Sequence, residues 1–140
     1  MNSPKKSGHC FCRGVAFEIE TPFKMFSHCH CESCRKSHGA AFVSWTSVDN
    51  KNFQLISGKD LLNDYESSPG IKWIFCSRCG SSIFQTTRHS PGVIYVVAAS
   101  LDEAPNSEPE GHMSFEEKVE WLDVLDDIPK FKMKTSDIVS

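Results

Sequence analysis

The chain has 140 residues, of which 39% are hydrophobic and 24% charged, and it carries a formal net charge of −3. That length suits one domain able to bury roughly 68–70% of its unfolded surface, so it needs no covalent staples merely to fold. The mild acidity and mixed signs exclude the basic stripe of a nucleic-acid binder, and no apolar run is long enough to cross a bilayer.

Residues 1–8 are polar, carry no signal-peptide pattern and read as a flexible N-terminal arm, which makes the cytoplasm the expected compartment. A single domain is expected over 9–130, with 131–140 as a C-terminal tail. Val15, Phe17 and Ile19 alternate with Ala16, Glu18 and Glu20, the period of a half-buried strand from Gly14 to Glu20. Thr21-Pro22 ends it, and Phe23 to His28 reads as a second strand. Glu32 to His38 is short, polar and closed by Gly39, which fits one helical turn or a knuckle. Ala41 to Val48, Asn52 to Ile56 and Leu61 to Glu66 are strand-like, separated by turn signals at Ser57-Gly58 and followed by Ser67-Ser68-Pro69-Gly70. Ile71 to Phe75 runs into Cys76-Ser77-Arg78-Cys79-Gly80, and Ser82 to Thr87 leaves it, predicting a hairpin with a metal at its tip. Val93 to Ala99 is uninterruptedly apolar and reads as a central strand. Leu101 to Gly111 reads as a loop, Met113 to Phe115 as further strand, and Trp121 to Leu125 as a weak helical face ending before Pro129. The whole predicts a mainly β single domain with few short helices.

All seven cysteines fall into three clusters: Cys10/Cys12, Cys29/Cys31/Cys34 and Cys76/Cys79. In a reducing compartment such spacing favours metal ligation over disulfides, and an odd number cannot close into intramolecular disulfides alone. A pair separated by one or two residues supplies half a tetrahedron, so Cys10, Cys12, Cys76 and Cys79 are natural partners in one closed, structural zinc site. The trio Cys29, Cys31 and Cys34 supplies three ligands for a second zinc and leaves one position open, as catalytic sites do. A thiolate-rich ion favours an incoming sulfur ligand. Two other arrangements fit the same residues. His28, His30 or His38 can close the trio into a second structural site, or the trio can belong to the closed site with one pair left free.

Around the trio, Arg35 and Lys36 can hold a substrate carboxylate, and His38 can contact substrate or support the metal. His9, His89 and His112 are scattered and read as surface or satisfied residues. Trp45, Trp73 and Trp121 read as core, and Asp126 and Asp127 as a solvated loop.

Cys10-Phe11-Cys12, then Cys29-His30-Cys31-Glu32-Ser33-Cys34-Arg35-Lys36-Ser37-His38-Gly39-Ala40, then Phe75-Cys76-Ser77-Arg78-Cys79-Gly80-Ser81-Ser82-Ile83 resembles the glutathione-dependent formaldehyde-activating enzyme family, which includes centromere protein V. The resemblance spans about residues 8 to 130, and the tail with His112, Trp121 and Asp126-Asp127-Ile128-Pro129 is similar to the family's C-terminal end. One departure is Arg13, where the family usually has glycine. The resemblance implies a β-tent of antiparallel sheets with two zinc ions, Cys10, Cys12, Cys76 and Cys79 matching the structural ligands and Cys29, Cys31 and Cys34 the catalytic ones. It also implies a carbon–sulfur lyase acting on the adduct of glutathione, or a similar thiol, with formaldehyde or another small aldehyde. The competing reading is a non-catalytic zinc-binding module with the same fold. A methionine sulfoxide reductase shares the architecture but needs a free nucleophilic cysteine, and none is left if all seven are ligands.

Overall fold

The computed structural model describes residues 5–132. Its architecture is mainly β, as expected: two sheets, one short α-helix and several single 3-10 turns. The small sheet has the order β1-β2-β5, with β1 Lys5–His9, β2 Ala16–Glu20 and β5 Phe53–Ser57. The large sheet runs β10-β3-β4-β9-β8-β7-β6. Its members are β3 Met25–Cys29, β4 Val43–Asp49, β6 Leu62–Ser68, β7 Ile71–Cys76, β8 Ser82–Thr87, β9 Val93–Val97 and β10 His112–Met113. The helix α1 spans Glu32–His38. No helix among the described residues is long and apolar enough to cross a membrane.

Side chains that alternate along a strand explain how one sheet serves two cores. On β9, Ile94 and Val96 join Val15, Phe17, Ile19, Val48 and Ile83 in the core beneath the small sheet. Tyr95 on the same strand joins Met25, Val43, Trp45, Met113 and the trio in a second core. Both faces of β9 are therefore covered, which is why its sequence is apolar without interruption. The strand lies fourth of seven, central as expected.

The ends of the domain depart from the sequence reading. Lys5–His9 is a strand, paired with β2 from Lys5↔Glu20 to His9↔Ala16, rather than part of an arm. It lacks an apolar pattern because backbone pairing and one close approach position it. A Cβ at Gly8 would stand 2.3 Å from the Phe17 ring and 2.8 Å from the Ser100 carbonyl oxygen, so only glycine lets β1 lie flat there. Residues 1–4 of the expected arm and 133–140 of the expected tail lie outside the described residues. Phe131, assigned to the tail, still exchanges backbone hydrogen bonds with His112 and Phe115.

Two further expectations are corrected. The sheets are antiparallel except for β10, which pairs with β3 in parallel through His112↔His28 and Met113↔Cys29. Trp121 to Leu125 forms no helix, and Trp121 is 76% exposed, so it is not core. The Lys118 ammonium donates to the Val119 and Leu122 carbonyls, occupying acceptors that a helical turn would have used.

Candidate metal centres and active-site cleft

The four-cysteine centre forms where two knuckles meet. The first joins β1 to β2, with Cys10 N–H bonded to the Val15 carbonyl and Arg13 N–H to the Cys10 carbonyl. The second joins β7 to β8, with Cys76 N–H on Ser81 O and Gly80 N–H on Cys76 O. Ser81 ties them together: its Oγ accepts from the Phe11 N–H at 2.9 Å and lies 3.1 Å from the Cys79 sulfur. Arg78 spans the same gap, its Nε donating to Cys12 Sγ at 3.3 Å. The four sulfurs lie within 4.8 Å of one another, with Cys10–Cys12 at 3.5 Å and Cys12–Cys76 at 3.9 Å. A zinc–sulfur bond of about 2.3 Å in a tetrahedron puts sulfurs about 3.8 Å apart, so the donor set fits that ion.

The surroundings prepare these sulfurs to carry charge. Hydrogen bonds from the Ser81 hydroxyl and backbone pull the Cys79 thiol down to about 5. The Gly14 backbone N–H, helped by the Arg78 guanidinium, lowers Cys12, whereas burial raises Cys10. An apolar pocket alone would raise all of them.

The trio forms where β3 turns into α1. Cys29 ends the strand, Cys31 caps the helix by accepting the Cys34 N–H at 3.3 Å, and Cys34 lies in the first turn. Gly39 ends α1 in the left-handed conformation at φ 61°, its N–H bonded to the Arg35 carbonyl. The helix thus makes two turns, one more than the sequence suggested. The three sulfurs are buried and lie within 4.8 Å of one another. Their mutual contacts and their burial hold Cys34 far above the usual thiol range and raise Cys31. Three thiolates could share so small a space only around a cation, and the donor set fits one.

Among the described residues, no imidazole nitrogen or carboxylate oxygen belongs to this group. Each nearby histidine is held through one ring nitrogen, while His30 Nδ1 and His38 Nε2 are buried without a hydrogen-bond partner. His28 Nδ1 meets Ser44 Oγ at 2.7 Å. His38 Nδ1 lies 3.0 Å from the Cys34 carbonyl; a carbonyl only accepts, so Nδ1 carries the proton and the buried Nε2 does not. His30, fully buried, turns away toward the C-terminal segment, its Nε2 lying 2.8 Å from His112 Nδ1. His112 Nε2 in turn donates to Asp126 at 2.9 Å. That contact, with help from Lys130, holds the Asp126 carboxyl down at about 2. His112 is therefore a buried, bonded residue, and Asp126 anchors it instead of merely facing solvent. A signal for this pair existed in the sequence, since a histidine and an acid both sit in the tail segment that resembles the family.

The trio forms part of the wall of a chamber of about 230 Å³, walled also by Ser33, Ser67, Ser68, Ile71 and Trp73 and by Trp45, Gln85, Thr87 and Tyr95. A second chamber of about 450 Å³ shares Ser33, Trp45, Ser67 and Trp73 with it and is lined further by Lys36, Ser37 and His38. The two form one cleft with an inner end at the sulfurs. Lys36 and His38 line the second chamber, while Arg35 lines neither and donates from Nε to the His30 carbonyl at 3.1 Å. Reading all three tryptophans as core missed the cleft. Trp45 is buried but presents a wall, and Trp73, partly exposed, faces both chambers.

A mainly β domain carrying one four-sulfur centre and one three-sulfur centre that opens on a cleft defines a protein with two candidate metal centres. A family model described as glutathione-dependent formaldehyde-activating enzyme matches residues 5–117, and the chain belongs to that family. The chain is similar to an uncharacterized lyase of Schizosaccharomyces pombe, at 26% identity over 81 residues that cover 58% of this chain and 57% of that protein. It therefore spans little more than half the length of that relative. A crystal structure of a Rhodobacter sphaeroides protein is similar at 25% identity, with a TM-score of 0.59, covering 74% of this chain and 91% of that one.

Proposed function

We propose that the protein is a zinc-dependent carbon–sulfur lyase acting on the adduct of glutathione, or a similar thiol, with formaldehyde or another small aldehyde. The observation that carries the reading is the trio on the wall of a cleft with no imidazole nitrogen or carboxylate oxygen of the described residues in its ligand group. Family membership and the lyase name of the yeast relative support it. In this reading Cys10, Cys12, Cys76 and Cys79 hold a structural zinc, and Cys29, Cys31 and Cys34 hold the catalytic one. Bound there, zinc supplies Lewis-acid attraction for a substrate sulfur or oxygen and favours the thiolate form of a thiol at neutral pH.

The chain's own groups bind and orient. Trp45 Nε1–H donates to Cys34 Sγ at 3.4 Å and fixes that sulfur's position. Arg35 braces the backbone between Cys29 and Cys31 through the His30 carbonyl. Lys36 stands at the outer chamber, where its ammonium meets a carboxylate of the thiol carrier, and His38 lines the same chamber. In the synthetic direction a sulfur–carbon bond forms and the thiol proton goes to the aldehyde oxygen; the lyase direction reverses both. Because the addition also proceeds unaided, holding sulfur and carbonyl together is the main service of the cleft.

Native mass spectrometry of the zinc-loaded protein, with and without glutathione, tests this reading. Two zinc ions per chain and a glutathione adduct that vanishes in Cys31→Ser support it, together with equilibration of the formaldehyde adduct faster than the spontaneous rate. One tightly held zinc, no adduct and no acceleration would replace it with the binding-module reading.

A further inference from the structure

The inner chamber is too large for a one-carbon aldehyde, and Trp45, Trp73, Ile71 and Tyr95 give it an apolar side beside its Ser, Thr and Gln side chains. An apolar cavity of ~150 Å³ is enough to take up benzene. The chamber beside the trio measures about 230 Å³, so a formaldehyde-derived carbon would leave most of it unfilled and its walls without contact.

The polar atoms of its aromatic walls are already used. Trp45 Nε1–H donates to Cys34 Sγ at 3.4 Å, Trp73 Nε1–H to Ser67 Oγ at 2.7 Å, and Tyr95 Oη–H to Ser90 Oγ at 2.9 Å. What these three residues offer a ligand is ring carbon. The His38 ring meets Trp45 at 5.4 Å and Trp73 at 5.8 Å, both edge-on, and braces the pair.

Charge divides the cleft. Among the described residues, no Asp, Glu, Lys or Arg lines the inner chamber, and Lys36 alone of these lines the outer one. A zwitterionic carrier with two carboxylates finds hydroxyl and amide groups but no cationic side chain near the sulfurs, and burying its charges there unpaired would cost several kcal/mol per ion. Its ionised part runs past Lys36, leaving the inner chamber to whatever else the sulfur carries.

Resting on the lyase reading above, we infer that the aldehyde-derived part of the substrate is an aromatic or branched apolar group, seated between Trp45, Trp73, Ile71 and Tyr95, with the thiol carrier leaving past Lys36. The adduct is then the hemithioacetal of an apolar aldehyde. Ile71 and Trp73 set its size, and formaldehyde is accepted only as a poorly filling analogue.

Stable thioethers test the fit without catalysis. S-benzyl and S-methyl derivatives of glutathione, and the same pair built on 3-mercaptopropionate, are titrated into the zinc-loaded protein by calorimetry and tryptophan fluorescence. On at least one carrier the benzyl derivative binds about tenfold or more tightly than the methyl one, the scale on which apolar pockets discriminate. Ile71→Phe, which fills the chamber, and Ile71→Ala, which removes a wall, each cut that ratio by at least about threefold with two zinc ions retained. Equal or tighter binding of the methyl derivatives on both carriers overturns the inference, as does absence of binding by all four. Preference for benzyl on the short acid, with neither glutathione derivative bound, supports the inference and rejects glutathione as the carrier. Equal binding of both pairs with accelerated formaldehyde turnover keeps the lyase and rejects the inference.

Discussion

The two cysteine centres use the same ligand chemistry in opposite settings. The four-cysteine centre joins two loops 64 residues apart in the chain, and its sulfurs receive hydrogen bonds from backbone, hydroxyl and guanidinium donors of both. The trio comes from a single strand-to-helix turn within one buried cluster and opens on a cleft, with the Cys34 N–H on Cys31 Sγ and Trp45 Nε1–H on Cys34 Sγ. A centre that bridges distant segments and neutralises its own charge secures the fold. One that stays local and leaves its charge to be balanced by what enters can serve chemistry. The difference lies in connectivity and donors, not in the sulfurs.

Removing a ligand from each centre breaks the comparison at its strongest point. Structural zinc is worth on the order of 10–16 kcal/mol of apparent binding energy in small folds, comparable to the whole stability of a domain. Cys76→Ser should therefore leave no cooperatively folded protein at neutral pH, read by circular dichroism and a lost thermal transition. Cys31→Ser should behave otherwise. The serine oxygen can still cap α1 in place of the sulfur that accepts the Cys34 N–H. Its expected phenotype is a retained transition, one zinc lost per chain by native mass spectrometry, and loss of thiol binding. Equal unfolding in both variants would erase the distinction.

A smaller effect probes how the trio's segment is fixed from outside. Asp126 holds His112, and His112 reaches His30, which lies between two trio cysteines. The Asp126 carboxyl is depressed to about 2, chiefly by the His112 hydrogen bond, from an ordinary 3.8. A depressed carboxyl contributes stability that is complete above the unfolded value and lost as pH falls through the folded one. The wild type should therefore unfold at higher urea than Asp126→Asn at pH 5 and above. That gap should narrow as the pH falls below about 5 toward the pH at which the cysteines release zinc. A gap left unchanged by high salt at pH 7 would mean the contact is not ionic.

Much of this arrangement could be read from the chain because it depends on local spacing. Cysteine pairs separated by one or two intervening residues, the alternation of Val15, Phe17 and Ile19, and the apolar run of β9 each carry their own signal. What escaped depends on packing across the fold. Lys5–His9 is a strand by virtue of its partner β2, and Gly8 betrays this only once Phe17 lies against it. Trp73 becomes a cleft wall because β7 places it near the trio, whereas Trp121, with the same side chain, is exposed. His112 and Asp126 are 14 residues apart, and the parallel pairing of β10 with β3 places His112 beside His28 near the trio. No periodicity announces such a contact.

The mildest substitution sharpens the comparison within the four-cysteine centre itself. Arg13, directly after Cys12, adopts φ 67°, a left-handed conformation in which a Cβ crowds the backbone. That strain costs about 1–2 kcal/mol for an ordinary side chain, while glycine loses about 0.5–1 kcal/mol through its freer unfolded chain. The difference favours glycine, the residue usual in the family that the sequence resembles. Arg13→Gly should raise the stability of the zinc-loaded protein by up to about 1 kcal/mol, read from urea unfolding. It should also slow zinc transfer to a chelator from the four-cysteine centre without changing transfer from the trio. If both centres slow together, the knuckles and the trio's turn respond as one unit, and the division between a centre that holds the fold and one that serves the cleft would have to be redrawn.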